Sequence, residues 1–348
     1  MKGLCLMLGL LLGACNVTKY LKPGETLYTG AEVKVKSDKP VNKKEIRKQL
    51  ESVLRPKPNQ TILGMRIKLW FYYKAGESPE GKFKKFLKNK LGEKPVLFDA
   101  QIPVHVADLM TNRLINSGYF QAAVAYSVQT AKKKTEVLYE AEVSDPYTIR
   151  NVRFPQDSTL LGTRIREAEE KTLLKPGTRY DLDLLKTERQ RIDLILKDQG
   201  FYFFNPDYLL FKADSTKGTK QVDLLMLVKN DMPEKAGTEY RMDRIYIFPS
   251  YRMRDTSAVV RGDTLRVDGF DYVSRDSAFK PRTITSSVFL KPGERYSRKS
   301  HNLSLSRLMG MGVFHYANIR FVDSLKNGRG QLDAFIYLTP MKKRSLQL

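Results

Sequence analysis

The residue with the most definite chemistry is Cys15. It follows Leu12-Gly13-Ala14, and ahead of it lie Lys2 and an apolar run from Leu4 to Leu12. At 1.5 Å per helical residue, that run is too short for a hydrocarbon core of about 30 Å. It has the make-up of a signal peptide, expected over residues 1–14. Small side chains before a cysteine match the bacterial lipobox, in which the thiol takes up a diacylglycerol. Cys15 is therefore the expected lipid-attachment site, and two or more acyl chains hold a protein firmly to a bilayer. Cys5 lies inside the signal, which leaves the mature chain one acylated cysteine and no disulfide.

Other reactive side chains are scattered. His105, His301 and His315 lack metal-ligand spacing, so no metal site is expected. There is no Gly-x-Ser-x-Gly, no Walker loop and no Cys-x-x-Cys. Gly310-Met311-Gly312 falls far short of a dinucleotide fingerprint. No catalytic residue and no cofactor are expected, and the chain does not read as an enzyme. Arg261-Gly262-Asp263 spells an adhesion tripeptide but reads as an ordinary turn. Asp263-Thr264-Leu265, Asp276-Ser277-Ala278 and Asp323-Ser324-Leu325 fit a short acceptor pattern for periplasmic O-glycosylation, at Thr264, Ser277 and Ser324.

The 348 residues suffice for two or three domains. With 41% apolar and 10% aromatic residues, burial can offset the entropy of ordering the backbone. The formal charge of +23 is unevenly placed: residues 32–94 carry 18 Lys and Arg against 7 Asp and Glu. That stretch lies close to the expected anchor, where anionic headgroups would attract it. Export and the lack of an aromatic–basic recognition motif exclude nucleic acid as a partner.

The elements that position these residues are repeated. Leu174-Lys-Pro-Gly-Thr-Arg-Tyr180 recurs as Leu290-Lys-Pro-Gly-Glu-Arg-Tyr296. Lys-Pro-Gly, with Gly177 and Gly293, is a turn signal. Behind the first copy comes a helical stretch with Leu185, Ile192, Ile195 and Leu196 on one face, closed by Gly200-Phe201-Tyr202. Behind the second come Leu305, Leu308 and Met309, closed by Gly312-Val313-Phe314. A weaker copy starts at Lys94-Pro95, carries Ile102, Val106, Leu109, Met110 and Leu114, and closes at Gly118-Tyr119-Phe120. A glycine followed by an aromatic residue is a helix stop, and Asp99 and Asp181 are placed to cap helix starts.

Each closing glycine precedes two alternating strands with a polar turn between them, and each unit is preceded by a further strand and helix. The pattern is β-α-α-β-β, used three times. The fold class expected is α+β: tandem modules, each a three-stranded mixed sheet with two helices on one face. The modules are expected at 15–145, 146–233 and 238–340, with joints at Asp145-Pro146 and Asp231–Gly237. Two insertions interrupt them. The first, at about 56–91, holds the aromatic run Ile67–Tyr73, expected to pack on its own module. The second, at about 250–278, reads as a hairpin around Gly269.

With that repeat, its Pro-Gly turn and its Gly-aromatic closure, the chain resembles the POTRA modules of the BamA/TamA family of outer-membrane assembly proteins. The likeness is nearest to the lipoprotein TamA-like members (TamL) of Bacteroidetes. It is most specific from Tyr180 to Tyr208, through Glu188-Arg189-Gln190-Arg191-Ile192 and Gln199-Gly200-Phe201-Tyr202-Phe203-Phe204-Asn205-Pro206-Asp207. Residues 279–323 match next best and residues 92–145 match as a divergent module. The family continues into an outer-membrane barrel; the barrel itself is expected to be missing from this sequence, with residues 341–348 read as its start. The resemblance implies an outer-membrane, lipid-anchored, periplasm-facing protein. Its partners would be unfolded outer-membrane proteins and a TamB-like partner anchored in the inner membrane. Binding would occur by strand addition at sheet edges. The strands expected to carry those edges are Ala122–Gln129 (Val124, Tyr126, Val128), Phe203–Lys212 (Phe203, Tyr208, Leu210) and Ala317–Val322 (Ile319, Phe321). A barrel-less binding lipoprotein and a phospholipid transporter are the alternatives.

Overall fold

The computed structural model describes residues 17–76, 79–216, 219–252, 263–274, 278–326 and 329–341. The chain has the α+β architecture expected from its repeat. By compactness it divides into two units, Met1–Thr148 with Arg179–Leu182, and Ile149–Thr178 with Asp183–Leu348.

In the first unit, strand β1 (Leu27–Lys36) leads to helix α1 (Lys43–Glu51). Asn42 starts the helix by accepting the Glu45 amide at 3.1 Å and donating to the Glu45 carboxylate at 3.2 Å. Ile46 and Leu50, four apart, turn inward. The insertion supplies α2 (Ile67–Ala75) and α3 (Lys82–Phe86), which runs on as a π-helical turn over Leu87–Leu91. Helix α4 (Gln101–Asn116) follows, then β2 (Ala123–Ala131) and β3 (Lys134–Glu142). The Asp99 carboxylate accepts the Gln101 amide at 2.9 Å. β3 lies between the other two strands, parallel to β1 and antiparallel to β2. Val33 of β1, Val137, Tyr139 and Ala141 of β3, and Val106, Met110 and Leu114 of α4 close one core. Leu109, read from the sequence as an inward residue, is instead exposed: the inward stripe runs every fourth residue and leaves it on the flank.

The second unit begins with β4 (Thr148–Arg153), whose first residue belongs to the first unit, α5 (Leu160–Glu167) and α6 (Leu182–Asp198). Strands β5 (Leu209–Asp214) and β6 (Gln221–Val228) complete a sheet of order β4-β6-β5. Arg150 and Asp223 form an ion pair linking β4 to β6. Glu188 is fully buried yet charged. Burial alone would raise its pKa, but the Arg191 guanidinium, the Thr172 hydroxyl and the Leu173 amide all donate to it and hold it below the usual carboxylate range. It thereby ties α6 to the loop that follows α5.

A second sheet in this unit has order β10-β11-β7-β9-β8. Its strands are β7 (Tyr240–Phe248), β8 (Asp263–Val267), β9 (Phe270–Ser274), β10 (Phe314–Lys326) and β11 (Arg329–Pro340). The three strands expected from the repeat are β7, β10 and β11. The hairpin of the second insertion, turning at Asp268-Gly269, adds β9 beside β7 and widens the sheet to five. Helices α7 (Pro281–Thr285) and α8 (Arg298–Gly310) cover one face. Leu332, Ala334, Ile336 and Leu338 of β11 pack there with Ile284, Val288 and Leu308, while Met309 faces out. Among the described residues no helix is long and apolar enough to cross a membrane.

Candidate docking edges

A sheet can accept another strand only along an edge whose amides and carbonyls are unpaired. The fold disposes of one edge of each three-strand repeat by the same local device. Ahead of α4, the Val96 carbonyl accepts the Tyr28 amide and the Phe98 amide donates to the Thr26 carbonyl, both at 2.9 Å. Ahead of α6, the Gly177 amide donates to the Ile149 carbonyl at 2.7 Å, and the Ile149 amide to Thr178 at 2.8 Å. Ahead of α8, the Gly293 amide donates to the Met242 carbonyl at 2.7 Å, and the Met242 amide to Glu294 at 2.8 Å. The segment before each second long helix thus pairs with the outer side of its module's first strand. Residues 96–98 take this role in the divergent copy, which has no Lys-Pro-Gly.

The opposite edges are β2, β5 and β10. Each is terminal in its sheet and pairs with one strand among the described residues. Tyr126 and Val128 are 41% exposed and Leu210 is 40% exposed, while Val124 packs against the core of its sheet. The expected edge residues divide accordingly. Val124, Tyr126 and Val128 lie on β2, Leu210 on β5, and Ile319 and Phe321 on β10. Ile319 is buried in the sheet core, and the Phe321 ring packs on Tyr202, Tyr296 and His301 at 5.1–5.4 Å. Tyr208 sits in the turn Pro206–Tyr208, where its carbonyl accepts the Lys229 amide. Phe203 is on no strand. It packs on Tyr240 at 5.2 Å with the Lys235 ammonium 4.5 Å from its ring centroid. Pro206 and the Asn205 cap that precedes it delay the strand to Leu209.

Phe203 belongs to a different construction, an aromatic clasp that occurs twice. Gly118 ends α4 with φ +91°, and its carbonyl accepts the Tyr147 amide at 2.8 Å, while Tyr180 donates to the Tyr147 carbonyl. Phe120 stacks on Tyr147 at 4.6 Å and meets Tyr180 edge-on at 4.9 Å. In the second unit Gly200, φ +100°, accepts the Tyr240 amide at 2.9 Å, and Tyr296 donates to the Tyr240 carbonyl. Tyr202 meets Tyr296 at 4.9 Å and Phe203 meets Tyr240. Only glycine fits at the hinge of each clasp. A Cβ on Gly118 would lie 2.7 Å from the Tyr180 carbonyl, and one on Gly200 would lie 2.8 Å from Glu239 and 3.1 Å from the Tyr240 carbonyl. Burial raises the phenol pKa values of Tyr180, Tyr202, Tyr240 and Tyr296, so the clasp is neutral.

Gly312 ends α8 in the same way, yet nothing among the described residues comes within 4 Å of where its Cβ would be. A cleft of about 800 Å³ opens there, lined in part by Tyr251, Phe279, Val313 and Met341. Sequence reasoning found the glycines but missed the tyrosines, although the Tyr that closes both Lys-Pro-Gly repeats was the available signal. Thr264 and Ser324 are exposed on β8 and β10; Ser277 and Cys15 lie outside the described residues. Among the described residues no group of His, Cys, Asp and Glu is arranged to hold a metal ion.

No protein-family model and no curated protein matches the sequence. The chain is similar to several solved structures. POTRA3-5 of Haemophilus influenzae BamA aligns over 92% of this chain and 99% of that one, at 14% identity and a TM-score of 0.42. POTRA1-3 of the periplasmic domain of Omp85 from Anabaena aligns over 92% and 98%, at 13% identity and a TM-score of 0.29. The N-terminal domain of Omp85 from Thermosynechococcus elongatus aligns over 92% and 100%, at 12% identity and a TM-score of 0.27.

Proposed function

We propose that the chain is the periplasmic portion of an outer-membrane assembly or translocation factor, and that it binds other chains by adding them as strands to β2, β5 and β10. The observation that carries this reading is the asymmetry of the edges. In each module the first strand is covered on its outer side by the chain's own turn, in the third also by the β8–β9 hairpin. Among the described residues β2, β5 and β10 each have a single neighbour, as does β8 at the far end of the five-stranded sheet. Main-chain pairing there demands little of the incoming sequence, which suits unfolded outer-membrane proteins. A TamB-like partner would use the same kind of edge, and Cys15 would carry the lipid anchor that keeps the modules at the outer membrane.

Placing a photo-crosslinker on an unfolded outer-membrane protein tests the reading. The Tyr208 carbonyl accepts the Lys229 amide, so by the alternation of an antiparallel ladder Leu210 bonds to Leu227 and Ala213 turns its amide to the open side. Ala213→Pro removes that donor and should weaken crosslinking while the thermal melt stays near that of the parent. Unchanged crosslinking would count against strand addition at β5.

A further inference from the structure

The first insertion presents a surface that strand addition does not use. Over residues 82–91, five lysines and no acidic residue alternate with Phe83, Phe86, Leu87 and Leu91. In a soluble helix the aromatic positions would turn inward. Here Phe83 is 71% exposed, Phe86 50% and Leu91 40%. Lys82, Lys84, Lys85 and Lys90 are exposed among them. Leu63, 92% exposed, lies on the same insertion.

This element is held in place. The Lys88 ammonium donates to the Gly76 carbonyl at 3.0 Å and lies 4.9 Å from the Tyr72 ring centroid. The Glu93 amide donates to the Lys68 carbonyl at 3.1 Å. Buried Asn59 donates to the Lys94 carbonyl at 2.7 Å and accepts the Val96 amide at 2.9 Å. Helix α2, on which the element packs, gathers Leu69, Trp70 and Tyr73 around Val17 and Leu21, with Tyr20 stacked on Tyr73 at 5.0 Å. Val17 is two residues from Cys15, a reach of about 7 Å for an extended chain.

We infer that Lys82–Leu91 is a membrane-binding element for anionic phospholipid: Phe83 and Phe86 enter the boundary between headgroups and acyl chains, and the lysines meet phosphate. A short basic segment carrying aromatic residues that are not buried in its own protein has the composition of an interfacial anchor. The positive charge specifies the lipid class, because zwitterionic headgroups offer lysine no net attraction. Acylation of Cys15 would bring the element to the bilayer, but the binding itself does not need the acyl chains.

The test uses the chain from Asn16 onward, which keeps every described residue and carries no acyl group. It should float with vesicles of phosphatidylcholine containing phosphatidylglycerol and not with phosphatidylcholine alone. Phe83→Ser with Phe86→Ser should weaken vesicle binding about tenfold or more, and replacing Lys82, Lys84 and Lys85 by Gln should abolish the preference for anionic vesicles. Both sets of side chains are exposed, and an unchanged thermal melt would confirm that folding is retained. A Phe83→Trp reporter should shift its emission to the blue on vesicle addition. Failure of the parent to float with anionic vesicles, or undiminished binding of the Phe double variant, would overturn the inference and leave the patch to an acidic protein partner. Neither result bears on strand addition, which is read by client crosslinking, or on acylation, which is read from the mass of the N-terminal peptide.

Discussion

His301 shows how much a single side chain depends on its packing here. Its ring lies between Tyr296 and Phe321, 5.1 Å from the latter, and its Nδ1 is 3.3 Å from the Tyr296 hydroxyl. Burial, with the nearby Arg298 guanidinium, lowers its pKa below 6.5. The unfolded chain therefore binds a proton at this histidine more readily than the folded one. The stability that follows is fully present above the unfolded value and is lost as pH falls through about 6.5 toward the lower folded value. Urea melts at about pH 7.5 and about pH 5.5 should show the parent losing stability over that interval. His301→Phe should flatten the loss. A parent curve as flat as the variant's would show that the ring is not shielded as described. Nothing in the sequence marks His301 apart from His105 and His315; its shielding depends on how the fold sets Tyr296, five residues back, and Phe321 of β10 against the ring.

At the scale of elements, the repeated heptapeptide was legible and its consequence was not. Leu-Lys-Pro-Gly-x-Arg-Tyr announces a turn before a helix. That the turn pairs with the first strand of its module is a tertiary fact, set by where α6 and α8 pack. Phe203 was misread for a related reason. A run of aromatic residues before a strand resembles its beginning, but packing on Tyr240 and the Pro206 turn hold it outside. The core stripes of α4 and α6 were read almost fully, because spacing alone determines which side of a helix is inward. The two kinds of glycine can be separated by experiment. Gly293 has φ +81° with open space around it, so Gly293→Ala should cost only the left-handed backbone, about 1 kcal/mol. Gly200→Ala adds a collision with the Tyr240 backbone and should cost about 3 kcal/mol in chemical denaturation. Equal costs would mean that the clasp at Tyr240 does not constrain the module.

For the molecule as a whole, three edges of one kind on a single chain have a consequence that one edge lacks. If β2, β5 and β10 add strands as proposed, a short peptide would find three separate sites, so closing one would lower the number bound and leave the affinity of the others alone. A long unfolded client held at one such edge would present its remaining segments to the others at high effective concentration, so each further engagement would multiply the affinity. Ala213→Pro, which removes an outward donor of β5, should therefore act differently on the two ligands. In fluorescence titrations, a single-strand peptide should show reduced stoichiometry with an unchanged dissociation constant. A client several strands long should bind about tenfold or more weakly. If the long client weakens no more than the peptide, the edges work singly, and the repetition of the module serves spacing rather than grip.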